Sequence, residues 1–157
     1  MTKQLTILII AFISLYGQGA CQSNELNNYA LKAEKISTLN DKGKTFLVVM
    51  TTLTNHSKDT LNYNSDSCSW QDYYSVNEPN LQVETAQCDK YMPIVLTLAP
   101  GQSRQVELRL LSKRKTTVSQ MKFKIGFHLL LDRVYTDDND VSEEFRKNVI
   151  WSNEISM

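Results

Sequence analysis

The sequence predicts an all-β protein, an antiparallel β-sandwich of seven to nine strands, on three observations. Apolar residues recur with a period of two rather than 3.6, turn-forming residues separate those runs at short intervals, and no long amphipathic helix can be placed. The clearest run puts Met121, Phe123, Ile125, Phe127, Leu129 and Leu131 on one face, with Lys122, Lys124, Gly126, His128 and Leu130 on the other.

Taken in order, the expected strands cover residues 27–38, 44–54, 59–64, 68–75, 80–88, 93–98, 103–111, 120–132 and 147–155. Between Phe46 and Leu53 the apolar run is nearly continuous, which predicts a central strand covered on both faces. Val106, Leu108 and Leu110 alternate with Gln105, Glu107 and Arg109, and Ile94, Leu96 and Leu98 alternate with Val95 and Thr97. Turns fall at Asn40 to Gly43, Asn55 to Asp59, Asn64 to Asp66, Asn77 to Asn80, Ala99 to Gln102 and Thr136 to Asp140, where Gly, Pro, Asn, Asp and Ser cluster. Asp140 with Glu143 is placed to cap one short helical turn before Phe145.

The first twenty residues have another character. Lys3 precedes an apolar run from Leu5 to Tyr16, followed by the small residues Gly17, Gly19 and Ala20 and then Cys21. A Sec signal peptide needs a positive end, an apolar segment and small side chains where the peptidase admits the backbone. The run is too short for a helix across a hydrocarbon core of roughly 30 Å, which takes about 20 residues. Residues 1–20 are therefore expected to be removed, 21–28 to form a flexible tether, and 29–157 to form the sandwich domain.

Gly19, Ala20 and Cys21 resemble the lipobox of bacterial lipoproteins. That resemblance implies diacylglycerol on the Cys21 sulfur and a membrane partner reached through a lipid anchor. Gln18 departs from the aliphatic residue usual at its place, and ordinary cleavage after Gly19 or Ala20 is the alternative. Gln22, where an Asp would retain a lipoprotein at the inner membrane, resembles the pattern of those sorted to the outer membrane. The expected location is the bacterial cell envelope, at the outer membrane facing the periplasm.

Three cysteines are an odd number for an exported chain. Lipidation of Cys21 leaves Cys68 and Cys88 as a candidate disulfide, worth about 3 kcal/mol in the chain-entropy model; two buried thiols are the alternative. Loss of residues 1–20 removes only Lys3 from 17 basic and 17 acidic residues, so the mature chain carries one excess negative charge. Nucleic acid is not an expected partner at that balance, and the one basic cluster, Lys113 to Lys115, reads as a solvated hairpin tip.

The strand from Leu47 to Asn55 with the polar turn after it, the turn Leu98 to Gly101, and the period-two strands together look like an immunoglobulin-like β-sandwich of bacterial envelope proteins. The likeness is one of architecture, and fold does not imply function.

Candidate chemistry is thin. Gly101, Gln102 and Ser103 begin a nucleophile elbow, but Gln105 stands where its second Gly is required, and Pro100 with Gly101 fits a type II turn. His56 lies in a polar turn and His128 on the polar face of a strand, so each reads as solvated. Cys88 and Met92 have no His between them for a copper loop, and the acidic run Asp137 to Glu144 lacks a turn glycine for calcium. No cofactor, metal or catalytic residue is assigned.

One segment stands out. Cys68 to Tyr74 holds Trp70, Tyr73 and Tyr74 beside Gln71 and Asp72. In a strand, alternation sends Cys68, Trp70 and Asp72 to one face and Ser69, Gln71 and Tyr73 to the other. Either Trp70 covers the disulfide in the core, or Trp70, Tyr73 or Tyr74 is partly exposed and forms a platform for a sugar ring or a partner surface. Asn55, His56 and Ser57 form an N-glycosylation sequon, and Asp59, Thr60 and Leu61 resemble a bacterial O-glycosylation motif. The expected function is a non-catalytic binding or structural module that contacts an envelope protein or glycan, with a protease-inhibitor-like protein or a loop-built enzyme as the alternative.

Overall fold

A computed structural model describes residues 26–90, 92–113, 121–132 and 138–157, the side chains of 138–140 excepted. The signal segment, Cys21, most of the tether, Arg114, Lys115 and Asp137 lie outside the described residues. Leu26–Asn28 make one 3-10 turn, with Leu26 packed against the core.

The first layer is a four-stranded antiparallel sheet. It contains β1 (Tyr29–Asp41), β2 (Lys44–Asn55), β7 (Ser103–Ser112) and β5 (Leu81–Val83), in the order β1-β2-β7-β5. Lys42 and Gly43, at φ 48° and 75°, turn β1 into β2 with the doubly left-handed backbone that a two-residue hairpin needs. Alternation sends Leu47, Val49 and Leu53 of β2 to the core beside Leu108 and Leu110 of β7. Phe46 and Val48 are also buried, on the opposite face, which accounts for the continuous apolar run. There the Arg109 guanidinium lies over the Phe46 ring, 4.3 Å from its centroid, an arrangement that excludes water while keeping the charge near solvent.

The second layer combines β3 (Leu61–Asp66) with β6 (Pro93–Leu98), β4 (Tyr74–Val76) with β9 (Ile125–His128) and β10 (Val149–Trp151), and β8 (Lys122–Phe123) with β11 (Ile155–Ser156). Backbone bonds join these pieces into one layer, since Asn64 N–H donates to Leu130 O and Asp132 N–H donates to Asn62 O beside the Tyr63–Leu131 bridge. The core between the layers is continuous from Leu31 and Val49 to Phe123, Ile125 and Ile150.

Two expected strands are broken, which raises the strand segments to eleven among the described residues; the expected 120–132 divides into β8 and β9, and 147–155 into β10 and β11. The cause is a set of side chains that take over backbone bonds. Ser152 Oγ accepts from Ile125 N–H at 3.0 Å, and Asn77 Oδ1 accepts from Lys124 N–H at 2.7 Å. Asn153 acts as a surrogate peptide at the edge of β1, accepting from Ala33 N–H at 2.9 Å and donating to Ala33 O at 3.0 Å.

The expected strand 68–75 is a larger correction. Trp70–Tyr73 form a 3-10 turn, and only Tyr74 onward is strand. Cys68 is bonded to Cys88. Ser69 Oγ donates to Asp66 Oδ2, and Asp72 N–H donates to Ser69 O at 2.9 Å, so the backbone curls and the two-face alternation is lost. The expected strand 80–88 likewise shortens to β5, because the chain must leave the sheet to bring Cys88 to Cys68. The single helical turn expected before Phe145 is instead a helix, α1 (Asp138–Lys147), with Arg146 and Lys147 favourably placed at its C-terminus.

Asn55 closes one end of the sandwich. It is fully buried, donates through Nδ2 to Asp59 O at 2.8 Å and Leu98 O at 2.9 Å, and accepts through Oδ1 from Ser57 N–H. Its amide nitrogen is thus engaged inside the fold, and the sequon is a structural element. Asn55→Ala strands two carbonyls and is expected to cost about 3 kcal/mol. Urea unfolding checks this, and a loss under 1 kcal/mol would remove Asn55 as a node of the fold.

Candidate functional site

The 3-10 turn sets the three aromatics at different depths. Tyr74 points inward, its ring 5.0 Å from Phe127, and Trp70 meets it edge to face at 6.2 Å. Tyr73 packs edge to face on Phe145 of α1 at 5.5 Å. All three are half-buried, and the Trp70 and Tyr74 rings stand at 89° to one another. Burial pushes the Tyr74 phenol well above the ordinary tyrosine value, opposed only in part by the Thr51 hydroxyl. Burial also raises Tyr73, reinforced by the Asp66 and Asp72 carboxylates, and raises Tyr63 against the pull of Arg104.

Trp70 borders two recesses. One, of about 270 Å³, opens between the layers with Tyr63, Trp70, Tyr74 and Phe127 among its walls and Asp66 and Arg104 as its charged lining. The other, of about 330 Å³, is lined by Trp70, Gln71, Glu84, Thr85, Glu107 and Arg109. Arg109 Nε lies 3.1 Å from Glu84 Oε2, and an Arg109 terminal nitrogen lies 3.7 Å from Asp41 Oδ2. These contacts are ion pairs and not hydrogen bonds: the one to Asp41 is too long, and Arg109 Nε and that terminal nitrogen, with Gln71 Oε1, are the buried side-chain atoms left without a hydrogen-bond partner among the described residues. A buried polar atom so left costs roughly 1–3 kcal/mol. A third recess, of about 500 Å³, lies against Tyr73, Val141, Phe145 and Arg146.

His128 is not the solvated residue its strand position predicts. It stacks on Phe145 at 4.7 Å, one ring nitrogen lies 2.8 Å from Phe145 O and the other 2.9 Å from Ser75 Oγ. The Phe145 carbonyl belongs to the last turn of α1, so His128 caps the helix and ties it to β4. Only glycine fits at 126 on the strand beside Ser75: a Cβ built there would stand 2.8 Å from Ser75 Oγ and from Val149 Cγ1. Ser103 is exposed at the start of β7, with its hydroxyl 2.8 Å from that of Thr54. His56 and Thr60 are exposed.

Sequence reasoning missed Arg109 and Glu107, which looked like the polar side of one strand, Glu84, to which it gave no role, and Gln71, placed on the wrong kind of element. It also gave no role to Trp151, an indole 45% exposed on β10.

No family model matches the chain, and no curated protein sequence matches it. Among solved structures, the yjhA protein of Bacillus subtilis is similar with a TM-score of 0.38, over 82% of this chain and 89% of that one, at 14% identity.

The raised phenols set a pH limit. In the unfolded chain they ionise near 10, whereas in the fold Tyr63 and Tyr74 stay protonated to higher pH. Their contribution is complete below about 10 and is lost as pH rises through the folded values. Melting followed by circular dichroism from pH 8 to 11.5 is expected to show Tm falling above about 10, and a flat Tm across that range would contradict the burial of these rings.

Proposed function

We propose that this protein is an exported lipoprotein of the bacterial cell envelope, acylated at Cys21 and held at the outer membrane facing the periplasm. It acts there as a non-catalytic binding or structural module. The contact surface is the turn that carries Trp70 and Tyr73, and the partner is an envelope protein or glycan. One observation carries this reading: the Cys68–Cys88 disulfide, a bond of oxidising compartments, anchors the segment whose Trp70 borders two recesses. The signal-like residues 1–20 and the lipobox resemblance at Cys21 supply the route and the tether.

Among the described residues the Ser75–His128 pair is the feature that favours an enzyme, because a hydroxyl 2.9 Å from an imidazole is the beginning of an activated nucleophile. It ranks second. The imidazole is oriented by a neutral helix-end carbonyl and not by a carboxylate.

Two measurements test the proposal. Growth with an alkyne fatty acid is expected to label the protein, and Cys21→Ser to abolish the label and release the protein from membranes; an unlabelled product with residues 1–20 intact would overturn the anchor. A photo-crosslinker at exposed Thr85 is expected to capture a discrete envelope species in intact cells, whereas one at Lys32 on β1 is not. Equal capture from both positions would contradict a surface centred on Trp70.

A further inference from the structure

We infer that the recess between Trp70, Gln71, Glu84, Thr85, Glu107 and Arg109 is a carbohydrate site that takes one neutral pyranose ring. This rests on the binding-module reading above and names its ligand class. The buried side-chain atoms that lack a hydrogen-bond partner among the described residues all belong to Gln71 and Arg109, and both residues line this one recess. They are of opposite kinds: Gln71 Oε1 accepts, whereas the two Arg109 nitrogens donate. A single group that satisfies both donates and accepts, as a hydroxyl does and an ammonium or a carboxylate does not.

The remaining lining agrees. Glu107 is exposed and makes no ion pair or hydrogen bond among the described residues, so it offers two further acceptor oxygens to adjacent hydroxyls. Trp70 supplies an indole for the apolar face of a sugar ring. The charge excludes anionic sugars: Arg109 is already balanced by Asp41 and Glu84, and Glu107 leaves the recess negative. At about 330 Å³ it sits at the small end of ligand pockets, roughly 300–1,000 Å³, which suits a single ring of a longer chain. The orphan atoms are screened from solvent, so binding requires the Gln71 side chain to turn outward.

Titration calorimetry of the full chain in detergent, with chitotriose, maltotriose, mannotriose, a heparin fragment and cadaverine, tests this. At least one neutral trisaccharide is expected to bind and the heparin fragment and cadaverine are not. Trp70→Leu and Glu107→Gln are each expected to weaken binding tenfold or more, and Trp151→Leu to change it less than twofold. Glu107 is exposed, so Glu107→Gln tests the site even if Trp70→Leu fails to fold. Binding of none of the trisaccharides, preference for cadaverine, or affinity unchanged by Glu107→Gln would overturn the inference. If the sugars fail while the Thr85 crosslink still captures an envelope protein, the carbohydrate assignment falls alone; if both fail, the binding-module reading falls with it.

Discussion

The bond between Cys68 and Cys88 is the constraint on which the functional half of this molecule depends. After β3 the chain stays in the second layer for β4, crosses to the first for β5 and returns as β6. Cys68 stands at the exit from β3 and Cys88 on the return from β5, so a single covalent link ties the outward path to the homeward one across 20 residues. Neither path has a long ladder of its own, since β4 and β5 are three residues each. Without the link, the 3-10 turn that precedes β4 keeps the local Ser69–Asp66 bond, the Ser67–Met92 bonds beside it and the packing of Tyr73 on Phe145, but no covalent tie to the return path.

Placing the turn in this way has consequences for both layers. Tyr74 and Trp70 bring aromatic surface to the inter-layer core through Phe127, while Gln71 and Trp70 reach the outer face of the first sheet near Arg109. Arg109 is itself doubly committed, covering Phe46 and paired with Asp41 and Glu84. The polar recess thus arises from residues that already have structural work, and its unmatched hydrogen-bonding atoms mark where packing and polar satisfaction conflict. Such conflicts concentrate at functional sites.

Much of the architecture was legible from periodicity alone. Strands β1, β2 and β7 of the first sheet, the type II turn at Pro100 and Gly101, where Gln102 N–H donates to Ala99 O, and the Cys68–Cys88 pairing all follow from local pattern or from counting. The interruptions did not, because they depend on partners distant in sequence: Ser152 with Ile125, Asn153 with Ala33, and Phe145 O with His128. Trp70 was visible as a candidate through the local density of aromatics. Glu107 and Arg109 were hidden by a correct inference, that they lie on the outer face of a strand, since nothing local reveals that a crosslinked turn stands beside that face.

The central claim is that the disulfide, and not the sandwich, fixes the turn that carries Trp70. Hydrogen exchange of the folded protein, resolved by peptide with and without reductant, tests this most directly. The account predicts that reduction accelerates exchange over residues 68–76 and 84–90 while β1, β2 and β7 keep their protection. Unchanged protection of residues 68–76 after reduction, or a rise spread evenly over the first sheet, would contradict it.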